Sequence, residues 1–72
     1  MKILLLENIH SIAEKLLSEA GFEVDTQPTA LEETELSQTL KKYEVVGIRS
    51  KTQISERVIH ENPHLTAIGT FC

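Results

Sequence analysis

The opening stretch Lys2-Ile3-Leu4-Leu5-Leu6 decides the fold class, because its apolar residues follow one another without a polar interruption. A strand with one wet face alternates apolar and polar residues, whereas a strand covered on both faces of a parallel sheet does not. Residues 44–48 repeat the buried type of pattern, residues 22–26 alternate with period two, and residues 65–69 form a fourth apolar segment. The sequence therefore predicts four strands, the first and third of them central.

Three helices are predicted between these strands. Residues 11–20 place five apolar side chains on one helical stripe, which ends at Gly21: Ile12, Ala13, Leu16, Leu17 and Ala20. Residues 32–42 space Leu36, Leu40 and Tyr43 at i, i+4 and i+7, with acidic residues at the start and lysines at the end. Ser55 is the predicted N-cap of a short third helix, which ends before Pro63.

The resulting order, βαβαβαβ, predicts an α/β fold with a parallel sheet, because strands that alternate with helices are joined by right-handed crossovers. Two strand orders are plausible. The flavodoxin-like order 2-1-3-4 places the alternating strand 22–26 at an edge, beside the first strand. The first helix then covers strands one and two on one face, while the other two helices lie on the opposite face. Half of the first face, over strands three and four, is left uncovered.

The last residues, Phe71-Cys72, follow the fourth strand directly, so the helix that would cover this half of the sheet is missing. We therefore interpret residues 1–72 as a single partial domain, a fragment of a larger one. Two alternatives stay open: a dimer that buries the uncovered half by self-association, or a partner segment that supplies the missing helix. Large exposed apolar patches are rare on stable monomers.

Composition limits what so short a chain can do. Its 72 residues carry seven basic and eleven acidic side chains, for a net charge of −4, and no tryptophan. This surface lacks the basic stripe and stacking residues of nucleic-acid binding proteins. The apolar run at residues 3–6 is too short for a membrane span, and a single cysteine permits no internal disulfide, so we expect a cytoplasmic protein. One small core leaves little room for a self-sufficient active site.

The candidate binding site is the loop Arg49-Ser50-Lys51-Thr52, which follows the third strand. Ligands of open parallel sheets bind beyond the carboxyl ends of the strands at the topological switch point, here between strands one and three. Arginine suits fork-like recognition of an oxyanion, and the hydroxyls and the amides of the following helix can add donors. The loop therefore favours a phosphate or a carboxylate, although a solvated basic turn is the plainer interpretation.

Other motifs are weaker. The sequence HENPH at residues 60–64 matches the zinc pattern H-E-x-x-H, but Pro63 ends the helix between the histidines, so no metal site is predicted. The glycines are isolated and form no G-x-G-x-x-G fingerprint, so no cofactor is expected to bind this segment. His10 is interpreted as a helix-entry residue and Cys72 as a bystander thiol. No catalytic residue is predicted.

Four segments resemble bacterial D-3-phosphoglycerate dehydrogenases, members of the NAD-dependent D-2-hydroxyacid dehydrogenase family. Residues 2–10 (KILLLENIH) resemble the opening strand and loop, and residues 13–22 (AEKLLSEAGF) look like the first helix. Residues 46–52 (VGIRSKT) are similar to the family's G-[IL]-R-S-[RK]-T strand and loop. Residues 67–72 (AIGTFC) resemble its A-I-G-C-F-C strand, with Thr70 where cysteine is usual. The resemblance covers essentially the whole chain.

The resemblance implies the N-terminal part of the substrate-binding lid of an oxidoreductase in serine biosynthesis. NAD and the catalytic residues then belong to the remainder of the dehydrogenase chain, in an inserted Rossmann domain. Arg49, Ser50 and Lys51 carry over as contacts to the anionic end of 3-phosphoglycerate or 3-phosphohydroxypyruvate. The alternative is a free-standing, non-catalytic α/β interaction module that uses its uncovered sheet face.

Overall fold

The computed structural model describes residues 1–9 and 11–71, which form one four-stranded parallel sheet flanked by helices. The strands are β1 (Lys2–Leu5), β2 (Glu23–Thr26), β3 (Val45–Ile48) and β4 (Ala67–Thr70), and the helices are α1 (Ser11–Glu19), α2 (Glu33–Thr39) and α3 (Glu56–Glu61). The strand order is β2-β1-β3-β4, with every neighbouring pair parallel. The predicted α/β class and the order 2-1-3-4 are confirmed.

The buried core lies on both faces of β1, as the unbroken apolar run requires. Leu4 faces α2 and α3, in a cluster with Leu36, Leu40 and Val58. Ile3 and Leu5 face α1 and pack with Ala13 and Leu17. Successive strand residues point to opposite faces, so an uninterrupted apolar strand has to be covered on both. The predicted sides of the three helices are therefore confirmed.

The elements differ from the prediction at their ends. The structure ends β1 at Leu5, one residue early, although the Leu6 amide still donates to the Gly47 carbonyl at 2.9 Å. The second helix becomes a 3₁₀ turn over Leu40–Lys42, and β4 runs two residues later than predicted at its start. The 3₁₀ turn is an ordinary helix ending, because the last turn of a helix often tightens in this way. Among the described residues, no helix is long and apolar enough to span a membrane.

Of the five residues predicted for the stripe of the first helix, Leu16 and Ala20 are exposed, and the Ile12 side chain lies outside the part of the chain that the structure describes. Ala13 and Leu17 pack on the sheet, whereas Leu16 is 61% exposed. Glu14 and Ser18 border Val24 of β2, and helical geometry puts Leu16 on the opposite flank of α1, toward β3 and β4. No described helix covers that half of the sheet, so Leu16 has nothing to pack against there.

Phe71 lies over this uncovered half of the sheet. A Cβ atom built on Gly47 would lie 3.0 Å from Phe71 Cε1, and one built on Gly69 would lie 3.3 Å from it. The ring therefore rests on the two glycines, yet it stays 39% exposed. A Cβ at Gly47 would also lie 2.7 Å from Leu5 Cδ2, so a larger residue there would require the Leu5 side chain to shift. The absence of side chains at both positions lets the ring approach the sheet.

Replacing Tyr43 with phenylalanine is expected to cost about 1 kcal/mol of the free energy of unfolding. Tyr43 Oη donates to Asp25 Oδ2 at 2.6 Å and ties the end of the 3₁₀ turn to the edge strand β2. Burial, the hydrogen bond and the Asp25 charge together raise the pKa of Tyr43 to about 12. Urea unfolding measures the effect of Tyr43→Phe in the parent and in an Asp25→Ala background, where the side-chain acceptor is absent. An equal loss in both backgrounds would show that the contact contributes nothing.

Candidate functional site

Three loops meet at the carboxyl edge of the sheet, and the turn after β1 connects them. Glu7 and Asn8 adopt left-handed backbone conformations, with φ of 62° and 54°. Their amides donate to the loop after β2, from Glu7 to the Thr29 carbonyl at 3.4 Å and from Asn8 to the Gln27 carbonyl at 3.2 Å. A glutamate seldom takes this conformation without support from its surroundings. The turn therefore depends on the neighbouring loops.

The Glu7 side chain connects this turn to the predicted binding loop after β3. Its Oε2 accepts hydrogen bonds from the amides of Arg49 at 2.7 Å and Thr52 at 3.0 Å, and its Oε1 accepts from the amide of Lys51 at 2.8 Å. One carboxylate thus binds three backbone N–H groups of a single loop, from a position more than 40 residues away in the sequence. This arrangement fixes the path of residues 49–52.

The Glu7 carboxylate is stable as the anion in this setting. Burial by itself would raise its pKa, but the hydrogen bonds from Thr52, Lys51 and Arg49 outweigh burial and lower the pKa to about 2. Hydrogen bonds to a carboxylate from several backbone N–H groups favour its charged form in this way. Glu7 therefore remains ionised throughout the physiological range of pH.

The free energy of unfolding is expected to fall in acid as the Glu7 carboxylate becomes protonated. The pKa of Glu7 in the folded protein, about 2, lies below its ordinary value of 4.5. The stabilisation that the Glu7 carboxylate provides is therefore complete above about pH 4.5 and is lost as the pH falls toward 2. Urea unfolding of the parent and of Glu7→Gln between pH 7 and pH 2 measures it. The stability difference between the two proteins should shrink as the pH falls. A difference that stays constant across this range would contradict the prediction.

A cleft of about 380 Å³ opens beside Glu7, between the loops after β2 and β3. It is lined by Glu7, Pro28, Thr29, Ala30, Arg49, Ser50 and Lys51. Arg49, Ser50 and Lys51 are exposed. Both ion pairs among the described residues are formed by Arg57, so neither Arg49 nor Lys51 takes part in one. The cleft therefore offers a ligand two cations and the hydroxyls of Ser50 and Thr29, with the Glu7 carboxylate beside them. This donor set suits a phosphate or a carboxylate.

The donors available in this cleft differ from those that the sequence suggests. The amides of Arg49, Lys51 and Thr52 already donate to Glu7. The third helix begins only at Glu56, and its N-cap Ser55 accepts from the Val58 amide at 3.3 Å. Thr52 is buried, so its side chain belongs to the interior of the loop rather than to the cleft wall. From the loop after β3, a ligand here therefore meets the side chains of residues 49–51 rather than backbone amides.

The structure separates the remaining sequence candidates from this cleft. The third helix ends at Glu61, and the Asn62 side chain turns inward to donate to the Val58 carbonyl at 2.9 Å. His64 Nε2 lies 2.8 Å from the Leu40 carbonyl oxygen, against the 3₁₀ turn. The predicted helix end before Pro63 is thus confirmed. His10 and Cys72, for which the sequence suggests no function, lie outside the described residues.

The fold and the cleft together define a class of segment: a parallel α/β unit with a cationic cleft at the switch point of its sheet. A family model described as the catalytic domain of D-isomer specific 2-hydroxyacid dehydrogenases matches residues 3–72. The chain belongs to the D-isomer specific 2-hydroxyacid dehydrogenase family.

Named relatives agree with this assignment. The chain is 44% identical over 72 residues to a D-3-phosphoglycerate dehydrogenase of Dictyostelium discoideum, covering all of this chain and 18% of the relative. It is 39% identical over 72 residues to D-3-phosphoglycerate dehydrogenase 2 of Saccharomyces cerevisiae, covering 100% of this chain and 15% of the relative. The Escherichia coli K12 enzyme is 34% identical over 73 residues, again 100% of this chain, and 18% of the relative is covered. The resemblance to D-3-phosphoglycerate dehydrogenases is therefore confirmed, and it extends beyond the bacterial ones.

Proposed function

We propose that this chain is the substrate-binding segment of a D-3-phosphoglycerate dehydrogenase. The observation that carries the proposal is the cationic cleft, where Arg49, Ser50 and Lys51 line one wall at the carboxyl edge of the sheet. The relatives named above are D-3-phosphoglycerate dehydrogenases. A phosphoglycerate carries two anionic groups, a phosphate and a carboxylate. Cationic and hydroxyl side chains suit the anionic groups of such a ligand.

The proposed role of these side chains is to bind and orient the substrate. The Arg49 guanidinium makes a fork-like pair with the phosphate or carboxylate of 3-phosphoglycerate or 3-phosphohydroxypyruvate, and Lys51 adds a second positive charge. Ser50 donates its hydroxyl. By holding the anionic end, the segment limits the orientations of the reacting carbon and excludes water around it. This is a contribution to binding rather than to the chemical step.

The chemical step belongs to the rest of a longer chain in this proposal. The isolated glycines Gly21, Gly47 and Gly69 provide no phosphate-binding turn, so this segment does not fit a dinucleotide. NAD, which the family resemblance implies, supplies the hydride acceptor in the complete enzyme. Residues 1–72 are then one part of its substrate-binding domain.

The test is the substrate preference of the complete dehydrogenase that carries this segment. We expect NAD-dependent oxidation of D-3-phosphoglycerate with a kcat/KM at least about 100-fold above that for D-glycerate, which lacks the phosphate. Initial rates for both substrates, followed by NADH absorbance, give the ratio. Equal kcat/KM values for the two substrates would refute the proposed substrate.

Self-association is the alternative role, and the exposed Leu16 and Phe71 favour it. It predicts that the 72-residue chain sediments as a dimer, with both side chains protected from solvent at the interface. A monomer in sedimentation equilibrium, with Leu16→Ser leaving its mass unchanged, would refute this role.

A further inference from the structure

The Glu7 carboxylate accepts hydrogen bonds from three amides of the binding loop, as a bound anion does in other loops. Three amides of residues 49–52 converge on it, and such converging amides are a common way to bind an anionic ligand. With these hydrogen bonds in place, Arg49 and Lys51 are among the residues that line the cleft. The carboxylate of Glu7 thus supports the conformation of this loop.

We propose that Glu7 is a positioning residue, which sets the loop so that Arg49 and Lys51 can bind the anionic end of the substrate. This inference rests on the function proposed above. Glu7 acts through the loop backbone and not through contact with the substrate. Three independent hydrogen bonds to one loop, together with the pinning of the Glu7 turn by Thr29 and Gln27, carry the proposal.

The two possible influences of Glu7, through its charge and through the position of the loop, predict opposite effects of Glu7→Gln on substrate binding. Glu7 lines the same cleft as Arg49 and Lys51, so its negative charge by itself repels an incoming anion. If charge were its only influence, Glu7→Gln would tighten substrate binding and lower KM. If Glu7 positions the loop, the same substitution weakens binding and raises KM, because a glutamine amide cannot accept all three hydrogen bonds.

The experiment measures KM and kcat in the complete dehydrogenase for the parent, Glu7→Gln and Glu7→Asp. We expect Glu7→Gln to raise the KM for D-3-phosphoglycerate by about 10- to 100-fold, the scale of a misplaced binding group. The KM for NAD should change by less than about twofold, because only the anion contacts are lost. Glu7→Asp keeps the charge but is one methylene shorter, so we expect a smaller rise in the same direction.

Glu44→Gln is the matched control. Glu44 Oε2 also accepts a backbone N–H, that of Lys2 at 2.9 Å, but at the opposite edge of the sheet. We expect this variant to leave the KM for D-3-phosphoglycerate unchanged. Circular dichroism and thermal unfolding establish that each variant is folded. If Glu7→Gln does not fold, Glu7→Asp provides the test, because a role through charge alone predicts no change in that variant.

Arg49→Ala, measured in parallel, separates the failure of this inference from the failure of the proposed function. If Arg49→Ala raises KM while Glu7→Gln and Glu7→Asp leave it unchanged or lower it, the positioning role is wrong and the proposed binding loop stands. If neither Arg49→Ala nor the Glu7 variants change KM, the loop does not bind substrate and both proposals fall. An equal rise in KM for Glu44→Gln would also refute the specific role of Glu7.

Discussion

Replacing Arg49 with alanine in the complete dehydrogenase is expected to raise the KM for D-3-phosphoglycerate by about 10- to 150-fold. The figure corresponds to about 1.5–3 kcal/mol, the usual contribution of a hydrogen bond to a charged group. Arg49 is exposed at the cleft and lies in a loop held by Glu7, so the substitution removes the guanidinium without disturbing a buried contact. The KM for NAD should be nearly unchanged. Steady-state kinetics with each substrate varied in turn measure both values.

Arg57→Ala is the control for this experiment, since Arg57 is the other arginine of the segment. Its guanidinium pairs with Glu33 at 3.1 Å and Glu61 at 3.3 Å, on α2 and α3 rather than at the cleft. We expect this variant to keep the parent KM for D-3-phosphoglycerate. Equal KM values for Arg49→Ala and the parent would remove Arg49 from the binding site.

Replacing Leu4 with alanine is expected to lower the free energy of unfolding by about 2–5 kcal/mol. Leu4 is 0% exposed, lies in the central strand β1 and packs in the larger of the two core clusters. The loss is a large share of the total stability of a domain this size, about 4–11 kcal/mol. Urea unfolding followed by circular dichroism measures the change.

Ile68→Ala is the matched control for Leu4→Ala. Leu4 pairs with Val46, and Val46 pairs with Ile68, so the three side chains stand in one row on the same face of the sheet. Ile68 lies in the edge strand β4 and is 41% exposed. We expect Ile68→Ala to lower the free energy of unfolding by less than half as much as Leu4→Ala does. Comparable losses at the two positions would contradict the placement of the core under α2 and α3.

The fold was predictable from sequence because its main determinants are local. The apolar run of β1 and the alternating pattern of residues 22–26 assign a central and an edge strand, and the handedness of crossovers then places each helix on its side of the sheet. The exposure of Leu16 was not predictable in the same way. A helical stripe specifies which side chains can be buried, but the extent of burial depends on what lies across the sheet.

The candidate cleft was predictable from the position of Arg49 after a central strand, but the part played by Glu7 was not. The sequence presents Glu7 as a lone acid after β1, with no motif to connect it to a loop more than 40 residues later. Asn8 hints at a left-handed turn, since asparagine tolerates that conformation, whereas glutamate gives no such signal. The contact arises only when parallel strands bring the two loops together.

The most direct test of the account is a crystal structure of the complete dehydrogenase with D-3-phosphoglycerate bound. We predict that the phosphate or the carboxylate of the substrate lies within hydrogen-bonding distance of the Arg49 guanidinium. Glu7 should still accept from the amides of Arg49, Lys51 and Thr52 in that complex. A substrate bound elsewhere, with Arg49 and Lys51 both facing solvent, would contradict the assignment of this cleft as the binding site.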